Sequence, residues 1–207
     1  MKNSNKSLKK GNQLSDSGRK LLHFQSNIDE DAHHNQIIID SGADTSGIGG
    51  TEWIIDEISE RSVDISGYNN YVHDQKAKIG NAITAVDLPD ERTIILKINE
   101  ATLLKEDANS LLSTLQAEQY GTIINNVPKS RGGKIPYIFK DNTYIPLSIT
   151  RGLFTIKIRK PTKEELITCE TITLTSDEPW NPETLNQGYS NQDYELLHIN
   201  PREVNIK

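Results

Sequence analysis

The string Ile37-Ile38-Ile39-Asp40-Ser41-Gly42 constrains this chain more than any other feature. Three consecutive β-branched residues are stiff and suit a strand. With no polar break among them, they read as a strand buried on both faces. That strand runs directly into Asp40-Ser41-Gly42-Ala43-Asp44-Thr45, which is turn chemistry. A buried strand therefore delivers a carboxylate to a tight turn. Gly42 lets the backbone approach closely, and the Ser41 hydroxyl can bond to neighbouring backbone and hold the turn. The product is one carboxylate, fixed and partly desolvated.

The surrounding text predicts a small, mainly β domain over residues 35–127. Trp53-Ile54-Ile55 and Arg61–Ile65 read as short strands, and Ser66-Gly67-Tyr68-Asn69-Asn70 as a turn. Lys78–Leu88 and Thr93–Ile98 read as further strands, separated by the turn Pro89-Asp90-Glu91. One helix is expected next, capped by Asn109 or Ser110, with Leu111, Leu112 and Leu115 as its apolar stripe and Gly121 just past its end. Thr122-Ile123-Ile124 resumes as strand. Residues 1–34 are rich in Ser, Asn, Lys and Asp and predict a disordered arm. After Pro128 comes a basic, flexible linker, Lys129–Lys134. Residues 128–207 then read as a spacer with three β-like segments, Tyr137–Phe139, Leu153–Ile158 and Thr171–Thr175, and little order from Ser176 onward.

Composition narrows the function classes. A hydrophobic fraction of 34% and a mean hydropathy of −0.59 suit one compact region with polar flanks. The net charge of −6 argues against nucleic acid as the main partner, since phosphate binding needs a basic surface. The single cysteine, Cys169, excludes an internal disulfide and reads as a half-buried structural thiol. No apolar run reaches the about 20 residues that span a bilayer. A cytoplasmic protein without a membrane segment, metal or other cofactor is expected. His33-His34 lacks partners at metal-ligand spacing. Gly47, Gly49 and Gly50 lack a following P-loop Lys-Ser/Thr and read as a flexible loop.

Peptide hydrolysis by carboxylates requires two of them sharing a proton, one as base toward water and one as acid toward the carbonyl. Like charges at close range separate the two pKa values, and the pair titrates as a unit. This chain has no second Asp-Ser/Thr-Gly: Asp44-Thr45-Ser46-Gly47 and Asp64-Ile65-Ser66-Gly67 have the wrong spacing. A second carboxylate for such chemistry has to come from a second copy, with the two Asp40 residues meeting on a two-fold axis.

At this point the chain resembles the retropepsin-type aspartic proteases of long-terminal-repeat retroelements, and their Ty1/copia-like branch most closely. The resemblance covers about residues 36–127 and rests on two motifs in order. Asp40-Ser41-Gly42-Ala43-Asp44-Thr45 is similar to the family's active-site loop. Asn109-Ser110-Leu111-Leu112-Ser113, through Gln116 to Gly121, is similar to the Asn-x-Leu-Leu-Ser…Gln-Leu…Gly run of copia-like polyproteins. The resemblance implies an acid-protease half-barrel with one short C-terminal helix, acting as a homodimeric endopeptidase on its own element's polyprotein, in the cytoplasm or in virus-like particles. It implies a catalytic Asp40, backbone contacts from Gly42 and Asp44 to a peptide substrate, and Leu111-Leu112 under the active-site loop. It also implies a mobile hairpin flap, for which Ser66-Gly67-Tyr68 is the candidate, although this segment lacks a glycine-rich tip.

Two other classes fit parts of the text. A catalytically inactive dimeric β domain, kept for assembly or binding in a polyprotein, would use the same fold and leave Asp40 dispensable. Ile39-Asp40-Ser41-Gly42 with Ser46-Gly47-Ile48-Gly49 also looks like the first phosphate loop of actin/sugar-kinase ATPases. That fold needs a second such loop and a longer chain.

Overall fold

The computed structural model describes residues 35–65 and 75–185. The expectations for residues 1–34, for His33-His34, for the flap candidate Ser66-Gly67-Tyr68 and for residues 186–207 lie outside the described residues. Twelve strands are described. The first six are β1 (Gln36–Asp40), β2 (Gly47–Ile48), β3 (Ile54–Ile65), β4 (Gln75–Asp87), β5 (Thr93–Leu103) and β6 (Ser110–Ser113). They are followed by β7 (Ile123–Asn125), β8 (Tyr137–Lys140), β9 (Thr143–Pro146), β10 (Ser148–Thr150), β11 (Leu153–Lys157) and β12 (Thr171–Thr173). Two short helices, α1 (Thr114–Gln119) and α2 (Glu165–Thr168), complete a mainly β fold.

One large sheet runs in the order β10-β11-β1-β6-β2-β5-β4-β3, with β12 also paired to β5; β7, β8 and β9 form a second, small sheet. Strand β1 lies near the middle, parallel to β6 on one side and antiparallel to β11 on the other. Its alternation is plain: Ile37 and Ile39 are buried, while Ile38 is half-buried. The strand is thus buried on one face rather than two. Its isoleucines report stiffness, not how many sheet faces are covered. Ile37 and Ile39 join a core that includes Trp53, Ile94, Leu96, Ile98, Leu112, Ile156 and Ile172.

Two of the short strands expected near residues 53–65 are one strand. β3 runs unbroken through Ile54–Ile65 and pairs with β4, bending at register irregularities between Ile55 and Glu57 and between Ile58 and Ser62. It is the edge of the sheet, and its side chains are mostly exposed. Bulges and the charges of Asp56, Glu57, Glu60 and Arg61 are the usual guards of such an edge. On the other side of β4, its pairing with β5 carries an irregularity of its own: Gly80 pairs with Ala101, but Ala82 pairs with Ile98. At that bulge Glu100 adopts φ 53°, and its N–H donates to Asn81 Oδ1 at 3.0 Å. The bulge turns the Glu100 side chain toward Arg61, with which it forms an ion pair.

The helix expected from Asn109 or Ser110 starts later. Ser110–Ser113 is strand β6, and α1 spans only Thr114–Gln119, with the Ser113 hydroxyl accepting from the Gln116 N–H at 3.2 Å. Leu111 and Leu112 are therefore strand residues, and Leu115 is left substantially exposed. The Leu-Leu doublet satisfies either period. The partner that decides the matter, β1, lies some 70 residues away, beyond any local pattern. The end of the helix falls as expected: Gly121 follows the C-cap Tyr120 with φ 77°, a conformation that favours glycine.

The expected boundary at residue 127 is not a boundary in the fold. Strand β11 adds directly to β1, and β12 adds parallel to β5. Thr175 continues that seam: its Oγ1 donates to the Asn99 carbonyl and accepts from the Asn99 N–H, both at 2.8 Å. Within the expected linker, Lys129–Arg131 forms a 3-10 turn. Between β11 and α2, Arg159 donates to both Asp87 oxygens and to both Glu165 oxygens. That guanidinium holds the Glu165 carboxyl down at about 2 and Asp87 below the usual carboxylate range. Among the described residues, no helix is long and apolar enough to cross a membrane.

Candidate active site

The loop Asp40–Ser46 leaves the end of β1 at the level of Ser113, since Asp40 and Ser113 are register partners. The Asp40 carboxylate is half-exposed, and its Oδ1 accepts from the Gly42 N–H at 2.8 Å. A β-carbon at position 42 would lie 3.3 Å from that oxygen, tight enough to press on the carboxylate. Ser41, Gly42 and Asp44 are exposed, while Ala43 and Thr45 are half-buried. The loop therefore shows solvent an open front with Asp40 at its root.

Its back is fastened in several places. The Ser113 hydroxyl donates to the Ala43 carbonyl at 2.7 Å, and Ser46 Oγ accepts from the Ser113 N–H at 3.1 Å. Gln116 reaches across from α1: its Oε1 accepts from the Ser46 N–H at 2.9 Å, and its Nε2 donates to the Glu100 carbonyl at 3.1 Å. The Ser46 carbonyl in turn accepts from the Thr102 N–H at 2.9 Å. Ser46, Ser113 and Gln116 are all buried, where a bonded polar group is stabilising and an unpaired one is costly. Leu112 is fully buried in register with Ile39, and Leu111 is half-buried in register with Ile38.

The glycines after the loop do not form a flexible segment. Gly47 and Ile48 are strand β2, and a β-carbon on Gly49 would sit 2.2 Å from the Ala108 carbonyl oxygen. Close packing of one backbone on another, not freedom, explains that glycine. The Ser110 hydroxyl seals the same region, donating to the Gly49 carbonyl at 2.6 Å and accepting from the Trp53 indole at 2.8 Å.

The loop's outer end is held from an unexpected quarter. Trp180 donates its indole N–H to the Asp44 carbonyl at 3.0 Å and its backbone N–H to the Glu100 carboxylate at 2.9 Å. The chain from Ser176 to Leu185, expected to have little order, contains this contact and a 3-10 turn at Pro182–Leu185.

Sequence reasoning placed Asp40 on a strand-to-turn loop and named Ser113 and Gln116 only within the second motif; it gave no bracing role to Ser46, Ser113, Gln116, Glu100 or Trp180. A signal existed for two of them. Ser113-Thr114-Leu115-Gln116 has capping-box spacing, which marks Ser113 as the first cap of the helix. Here the Gln116 side chain reaches Ser46 and Glu100 rather than its own helix cap. Glu100 and Trp180 carry no local signal, because their partners are remote in sequence. No protein-family model, curated protein or solved structure matches the chain.

Proposed function

We propose that this protein is a homodimeric aspartic endopeptidase of retropepsin type that cuts a retroelement polyprotein. The observation that carries the reading is the parallel pairing of β6 with β1. It sets an apolar Leu111-Leu112 strand beside the strand that ends in Asp40, and it aims the Ser113 hydroxyl at the loop's backbone. A single carboxylate on a loop braced behind and open in front is half of an acid-protease site.

In the dimer, two Asp40 carboxylates share one proton. The ionised one takes a proton from a water, whose oxygen attacks the scissile carbonyl carbon. The protonated one gives its proton to the carbonyl oxygen. The tetrahedral diol then collapses: the C–N bond breaks as the amine nitrogen receives a proton from one aspartate, a diol hydroxyl gives its proton to the other, and the carboxylic acid product leaves the pair sharing one proton again. No metal or organic cofactor enters this sequence of steps. Two copies supply both carboxylates, so the site exists only in the assembled pair.

Purified protein is expected to cut polyprotein-derived peptides at mildly acidic pH. Asp40→Asn should abolish cutting while leaving circular dichroism and melting temperature close to wild type. Equal cutting by both proteins would overturn the reading and favour a β domain that serves assembly or binding.

A further inference from the structure

We infer that Trp180 is a positioning residue for the Asp40 loop, so that the functional unit extends through the strap that follows β12. This rests on the aspartic-protease reading above for its consequence in catalysis, though not for its structural part. Trp180 is half-buried and tied at two points in two directions. Its indole N–H grips the Asp44 carbonyl, four residues beyond Asp40 on the exposed side of the loop. Its backbone N–H grips Glu100, whose side chain is only 11% exposed and also pairs with Arg61 of β3. A carboxylate so nearly buried is a firm anchor, because its bonds are charge-assisted and costly to break.

Geometry makes this brace complementary to the others. Ser113 and Gln116 hold Ala43 and Ser46 from inside the fold. Neither reaches Asp44, whose carbonyl lies on the exposed stretch between them. Apart from Trp180, these side-chain braces hold the loop at Ala43 and Ser46, and the Asp44 carbonyl between them is bonded by Trp180. With it, the loop is linked through Glu100 to Arg61 and Asn81 on the two arms of the β3–β4 hairpin. A catalytic carboxylate that must meet its twin at close range tolerates little swing.

The test uses the full chain and Trp180→Phe, which keeps an aromatic ring while removing the indole donor and trimming the ring system. Hydrogen–deuterium exchange of the segment 41–46 is expected to run about tenfold faster in the variant, the factor one hydrogen bond supplies. Melting temperature and exchange in β4 and β5 should not change. The chain has two tryptophans, so an indole NMR spectrum gives a second readout on the wild type itself. Both indole protons should be slow to exchange, Trp53 through Ser110 and Trp180 through Asp44. In cutting assays the variant should lose kcat on the order of tenfold with KM little changed. Unchanged exchange in the loop, or a rapidly exchanging Trp180 indole, overturns the inference even if the wild type is an active protease. A loop that responds to Trp180→Phe in a wild-type protein that cuts nothing upholds the brace and overturns the protease reading instead.

Discussion

At the scale of single residues, the candidate site is a contrast between a solvent-facing carboxylate and the fastenings of its loop. Asp40 is half-exposed and its carboxylate accepts locally from the Gly42 N–H, so loss of that carboxylate should leave the fold intact. Ser113 is fully buried and serves three roles at once: strand partner of Asp40, cap of α1 and donor to Ala43. Ser113→Ala should therefore destabilise the protein by about 1–3 kcal/mol, combining a lost cap with a half-buried carbonyl left unpaired. Urea denaturation measures it. Leu112→Ala, at a fully buried position, should cost about 2–5 kcal/mol by the same method. Leu111→Ala should cost less, because Leu111 is only half-buried. Gly49→Ala forces a β-carbon onto the Ala108 carbonyl, and an insertion of that kind typically costs about 1–3 kcal/mol.

Among the elements, what could be read from sequence was what is local. The strand Gln36–Asp40 and the apolar run Thr93–Ile98 that opens β5 are encoded in consecutive residues. Asp40 was legible for the same reason: strand and turn adjoin. The Leu111-Leu112 strand was read as helix because its defining partner is remote. Likewise Leu153–Lys157 and Thr171–Thr173 were legible as strands but not as members of the sheet that holds Asp40. Which edge a strand joins depends on the whole topology. Among connecting elements, the Arg159 clamp ties the end of β4 to α2 through Asp87 and Glu165. Glu165 has its carboxyl lowered from 4.5 to about 2 in the folded chain, so the stability it adds is present above 4.5. That contribution is lost as pH falls toward about 2, and the lowered Asp87 acts in the same direction. Glu165→Gln should lower the melting temperature at neutral pH, and the gap from wild type should close across that acid window. At the mildly acidic pH proposed for catalysis the clamp stays ionised.

For the whole molecule, the decisive fact is that strands late in the chain complete a sheet begun early. A fragment ending at residue 127 would lack β11 and β12, exposing one side of β1 and one side of β5. Such a fragment should fail to fold, seen as missing dispersion in its NMR spectrum, whereas the chain through Leu185 should give a dispersed one. The proposed dimer makes a separate prediction. Specific activity should fall on dilution as the pair dissociates, and sedimentation should show the monomer appearing over the same concentrations. Activity that does not change on dilution, in a protein that sediments as a monomer, would leave one Asp40 per active particle and sink the shared site.

The contact between Trp180 and Asp44 spans 136 residues of chain. On a ribosome adding roughly 5–20 residues per second, those residues take roughly 7–27 s to make. Through that interval the nascent chain already carries its aspartate but not the tryptophan that braces it. On the proposed protease reading, a loop made ahead of residue 180 is an unbraced one, and the length of that unbraced interval is set by the distance between two residues.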